Sequence, residues 1–107
     1  IDMRYENPLY LAEEAASLDL ISSRRIALGI SRGSPETALR GYEAFGYTGS
    51  EDPRGGDIAR DKFELFLQAI DGEKVVEGDP QMVGPNQRLA IEPQSPGLRD
   101  RIWWGAG

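Results

Sequence analysis

Arg25-Ile26-Ala27-Leu28-Gly29-Ile30-Ser31-Arg32-Gly33 is the stretch that decides the fold. The run Arg25–Ile30 holds no acidic residue and no turn cluster, which predicts a buried strand of the parallel type. Alternation gives that strand two unlike faces: Ile26, Leu28 and Ile30 on one, Ala27, Gly29 and Ser31 on the other. Large aliphatics suit a covering of helices, while the small side leaves room for something else. Ser31-Arg32-Gly33 then forms the turn at the strand's end, where α/β sheets bind ligands beyond the carboxyl ends of their parallel strands. A tight strand-to-helix turn uses glycine in the same way with no ligand at all.

Upstream, Asn7-Pro8 opens a helix running from Pro8 to about Ile21, because Asn caps free amides and Pro is preset for the first helical position. Leu11, Ala12, Ala15 and Leu18 form its expected apolar stripe, and the alanines predict close packing against a neighbour. Downstream, Ser34-Pro35 starts a short helix reaching about Glu43, and residues 46–56 form a glycine-rich loop. A second helix runs from about Asp57 to Asp71, stopped by Gly72, with Phe63, Phe66, Leu67 and Ile70 as its apolar stripe. Between Gly72 and Pro96 the signals are weak, with short strands suggested at Lys74–Glu77 and Arg88–Ile91. The chain closes on Arg101-Ile102-Trp103-Trp104-Gly105-Ala106-Gly107, read as a second buried strand ending in small residues. Helix, strand, loop with helix, and strand is the order of βα units in a parallel sheet. The first strand is therefore expected to lie parallel to the second.

The chain has 107 residues, 39% of them hydrophobic and 28% charged, with a net charge of −6. No apolar run approaches a membrane span and no basic leader precedes one, so a soluble, cytoplasmic setting is the expectation. Cysteine and histidine are absent, which removes disulfides, the usual zinc sites and any Ser-His-Asp or Cys-His nucleophile within this chain; no metal site is expected. The acidic balance opposes a nucleic-acid surface, which needs clustered Lys and Arg. Thirteen glycines and seven prolines mean much loop and little core, and the chain begins with Ile1, both of which suggest a fragment. A (β/α)₈ barrel takes roughly 250 residues, so such a chain would supply about a third of one.

Arg60 stands out, since it precedes Phe63 and Leu67 by three and seven residues in the first turn of the second helix. A cation there opposes the helix dipole. A bound phosphate would resolve the conflict through the free amides and the arginine fork; an outward bend, or a pair with Asp57 or Asp61, would also resolve it.

The run Asn7-Pro8 through Leu11-Ala12-Glu13, Leu18-Asp19 and Ser22, continuing into Arg25–Gly33, resembles the flavin-dependent bacterial luciferase-like monooxygenases. Phe45-Gly46, Arg60 and the ending Trp103-Trp104-Gly105-Ala106-Gly107 share the resemblance, which covers only the central part of a family member. It implies a partial (β/α)₈ TIM barrel in which residues 1–107 form one central segment, covering roughly strands four and five with their helices. It implies reduced FMN at the barrel mouth, with oxygen used on a small organic substrate. By position Ser31 stands at the flavin ring, where luciferase has a reactive cysteine, and is the catalytic candidate. Arg32 and Arg60 match arginines contacting the flavin phosphate, while Gly33 and Gly105, Ala106 and Gly107 complete the cofactor-binding candidates. The implied partners are a flavin reductase and a second copy of the chain joined through the helix 8–21 region. The alternatives are a deazaflavin-dependent hydride-transfer oxidoreductase of the same fold, and a truncated, non-catalytic association module. The family has Gly where this chain has Arg24; in a left-handed conformation that arginine costs about 1 kcal/mol.

Overall fold

Asn7 starts the first helix as its sequence suggests, its side-chain oxygen accepting the amides of Leu9 and Tyr10 at 3.0 Å each. A computed structural model describes residues 1–31 and 39–105, and in it this helix, α1, spans Pro8–Ile21. Then come β1 (Leu28–Ser31), a 3₁₀ turn (Gly41–Phe45), α2 (Gly56–Ile70) and β2 (Lys74–Glu77). The one-turn α3 (Pro80–Val83), β3 (Arg88–Ala90), a second 3₁₀ turn (Pro96–Arg101) and β4 (Ile102–Gly105) complete it. Among the described residues no helix is long and apolar enough to cross a membrane.

β1 and β4 pair parallel, as expected, in the register Leu28–Ile102, Gly29–Trp103, Ile30–Trp104 and Ser31–Gly105. The chain's first residues run along the other edge of β1. The Ile1 ammonium donates to Gly29 O at 3.0 Å, Ser31 N donates to Ile1 O at 2.9 Å, and Met3 N donates to Ser31 O at 2.9 Å. The bridge is parallel, so three extended segments lie side by side in chain order. β2 and β3 form a separate antiparallel hairpin in the region where the sequence signals are weak.

The core lies between the helices and one face of β1. Ala12 and Ala15 of α1 meet Ala59, Phe66, Ala69 and Ile70 of α2, joined by Met3, Ile30 and Leu98. Small side chains on both helices permit the close approach that the alanines predict. Leu18 is not in this stripe: it is 56% exposed, and Ala16 and Asp19 take the buried positions instead. Asp19 is fully buried because its carboxylate has dedicated donors. Arg101 reaches it through Nη1 at 2.6 Å and Nη2 at 2.8 Å, Ser95 Oγ donates at 2.6 Å, and Arg101 Nη1 also donates to Ile26 O at 2.7 Å. The arginine, more than burial can oppose, holds the Asp19 carboxyl down at about 2.

Further differences from the sequence reading have local causes. β1 begins at Leu28 rather than Arg25, because Ser23 and Arg24 are both left-handed, with φ of 60° and 63°, as the chain leaves α1. Arg101 belongs to the 3₁₀ turn, where its side chain serves Asp19. Neither strand is buried throughout, since helices cover only one side of the pair; Trp103 is 61% and Trp104 37% exposed. The first half of the expected helix from Ser34-Pro35 lies outside the described residues, and in its second half Arg40 is left-handed and Gly41–Phe45 forms a 3₁₀ turn. The molecule measures 45 × 36 × 17 Å, its short dimension little more than one layer of helices on one of strands.

Candidate functional site

Ser31 and Gly105 stand side by side at the carboxyl ends of the parallel pair. Register partners share a face, so they lie on the same side as Gly29 and Trp103 and opposite Ile30 and Trp104. Among the described residues this side is uncrowded. A Cβ added to Gly29 would meet nothing within 4 Å, and one added to Gly105 would come only to 3.7 Å from the Ser31 Cβ. Backbone and small side chains are thus presented at the strand ends with open space before them. Arg32, Gly33, Ala106 and Gly107 lie outside the described residues.

The start of α2 lies at the same end of the molecule, because Phe63 in its second turn stacks against Trp104, with ring centroids 4.6 Å apart. Arg60 sits in that first stretch of helix but on the flank of the buried stripe, exposed, and makes no hydrogen bond or ion pair with another described residue. Ala59 and Lys62 take the inward positions. Aspartates meet the helix dipole. Asp52 accepts the amides of Arg54 at 2.9 Å and Gly56 at 3.0 Å, and Asp57 accepts the amide of Ile58 at 2.9 Å. Ser50 donates a short hydrogen bond to the Asp57 carboxylate, which foremost holds that carboxyl below its ordinary range. Negative charge at a helix start is favourable, so Arg60 needs no anion to offset the dipole. Any anion it holds must be held mainly by the guanidinium itself, since the amides of Gly56 and Ile58 are taken.

Lys62 is the surprise of α2, a buried cation in the apolar stripe. Its Nζ donates to Arg4 O at 2.8 Å and lies 3.0 Å from the centroid of the Tyr47 ring. Burial pushes its pKa down to about 8, with Glu6 and Asp2 opposing the shift. The same corner holds Arg4, itself buried and paired with Asp2 at 2.8 Å, and Tyr42, whose hydroxyl donates to Asp52 O at 3.0 Å. Position 62 falls three after Ala59 and four before Phe66, so the stripe itself was the signal that this lysine turns inward. Away from the strand ends, the outer side of α1 carries an open hollow of about 450 Å³ lined by Tyr10, Glu13, Glu14, Ser17 and Leu18.

The sequence model for luciferase-like monooxygenases matches residues 4–107, running from the N-terminal segment through the last strand. The chain belongs to the luciferase-like monooxygenase family. No curated relative matches it. Membership places this luciferase-like chain among flavin-type oxidoreductases, and the match takes in both strand ends, Arg60 and the Trp-Trp-Gly-Ala-Gly terminus. This luciferase-like chain has mixed α/β elements with few strands among its described residues.

Proposed function

We propose that residues 1–107 form the central segment of a flavin-dependent (β/α)₈ barrel, with β1 and β4 as its fourth and fifth strands and Ile1–Met3 as the end of the third. The single observation that carries this is the parallel register placing Ser31 beside Gly105, with the N-terminal segment on the other edge of β1. Three parallel segments in chain order, helices on one side and an open side opposite, are what a slice of such a barrel requires.

The residues present fit a flavin. The small side at Gly29, Ser31 and Gly105 lets main chain approach a planar ring closely, with Ser31 at the strand end where the resemblance sets the ring. By the family resemblance Gly33, Ala106 and Gly107 would join the cofactor site, and Arg32 and Arg60 would meet the phosphate. Bound in its reduced form, FMN supplies the electrons for oxygen chemistry on a small organic substrate, and the chain binds, orients and shields it. A flavin reductase would deliver the reduced cofactor in the cytoplasm. A second copy of the chain would pack on the outer side of α1, where Tyr10, Leu18 and Ile21 are exposed.

Arg60 supplies the test in the full-length protein. Because the carboxylates of Asp52 and Asp57 already occupy two helix-start amides, the phosphate depends on the arginine fork. Arg60→Ala removes a charge-assisted contact of about 1.5–3 kcal/mol, roughly a ten- to hundredfold loss of FMN affinity in a fluorescence titration. Lys at this position rescues in part, and riboflavin, which has no phosphate, binds wild type and variant equally. Unchanged FMN affinity would remove Arg60 from the site. Oxygen consumption with reduced FMN separates the monooxygenase from a deazaflavin-dependent hydride-transfer enzyme.

A further inference from the structure

We infer that Trp103 is the surface on which the planar ring of the cofactor rests. This deepens the flavin reading and depends on it. Parallel sheets are buried on both faces, yet here the helices cover one face only. On that covered side Trp104 packs on Phe63. On the other side Trp103 is 61% exposed, a large apolar ring left in water beside a glycine.

The register fixes where that ring lies. Gly29 and Trp103 are paired, as are Ser31 and Gly105, and side chains two residues apart share a face. The indole therefore sits one layer, about 7 Å, below the strand ends that carry Ser31 and Gly105. Gly29 keeps the space beside it clear, since an added Cβ there meets nothing within 4 Å. Above the indole no side chain follows on β4, because the next residue on that face is Gly105. A flat aromatic surface, a clear flank and a next layer of only Ser31 and Gly105 suit the planar, electron-poor ring of oxidised FMN lying on the indole face. A branched aliphatic substrate chain gains no such stacking.

The test uses the full-length protein with FMN and riboflavin as probes. Wild type should quench the emission of bound flavin through contact with the indole. Trp103→Leu should raise that emission severalfold and weaken FMN and riboflavin alike, by roughly three- to tenfold. Equal loss for the two flavins separates a ring contact from the phosphate contact of Arg60, whose removal spares riboflavin. Trp103→Phe, which keeps an aromatic face and guards against misfolding of the leucine variant, should retain most of the affinity with intermediate emission. Trp104→Phe, on the helix side, should leave emission unchanged. If wild type binds FMN while Trp103→Leu and Trp103→Phe match it in affinity and emission, Trp103 only fills the interior and the inference falls while the flavin reading stands. If wild type binds neither flavin, both fall together.

Discussion

Asp19 offers a direct trial of how this fold is held, because a fully buried carboxylate depends on Arg101 and Ser95. Asp19→Ala leaves Arg101 without its counter-charge and Ser95 without its acceptor. Breaking one side of a buried ion pair costs about 3–5 kcal/mol, and since Arg101 keeps a quarter of its side chain in water the low end applies, about 3 kcal/mol. Asp19→Asn keeps the shape and one acceptor and should cost about 2 kcal/mol. Against the 5–15 kcal/mol of an ordinary domain either loss is large. Urea denaturation followed by far-ultraviolet circular dichroism reads it. The pH response has a fixed sign. Folding lowers the Asp19 pKa from 3.8 to about 2, so the stability it lends is complete above about pH 4 and fades as pH falls through 2. Asp19→Asn should lack that part of the acid response. The double variant Asp19→Leu, Arg101→Met should recover most of the loss, because an apolar pair of similar volume carries no desolvation penalty. An Asn variant within 0.5 kcal/mol of wild type (about the size of an ordinary surface substitution), or a double variant whose losses simply add, would refute the reasoning.

Arg24→Gly relieves a left-handed residue of φ 63° and should raise stability by about 1 kcal/mol, read as a higher urea midpoint; a lower midpoint would mean the arginine makes a contact worth more than its strain. Lys62 has its pKa lowered by burial, so between about pH 8 and 10.5 the unfolded chain binds more protons than the folded one, and stability rises with pH in that window. Relative to Lys62→Met, which has no amine to titrate, wild type should gain stability across that range. A constant difference would show that Lys62 titrates normally.

The helices were legible because their signals are local: Asn7-Pro8 marks the start of α1, Gly72 the stop of α2, and the observed ends fall within two residues of those marks. The parallel pairing of the two strands was legible from the order of helix and strand units along the chain. Hidden in the sequence were choices made by distant partners. Leu18 and Asp19 compete for the inward position on α1, and hydropathy alone favours leucine. The aspartate wins because Arg101, 82 residues away, brings it a counter-charge. Lys62 turns inward toward a carbonyl 58 residues upstream. At the strand ends, Ser31 and Gly105 were recognisable as small residues, but their adjacency belongs to the register.

The Asp19–Arg101 contact also bears on how the chain finds its register. β1 and β4 are short, one face of the pair is small and open, and such strands resist slippage weakly. A slip of β4 by one residue would move Arg101 about 3.3 Å along the strand and turn Trp103 toward the helices. Hydrophobic collapse alone would tolerate that error, since one tryptophan would replace another. The aspartate would not, because its carboxylate would then lie in the interior with no cation. A single buried charge thus proofreads the alignment of the last strand, rejecting threadings that the aliphatic and aromatic residues cannot tell apart.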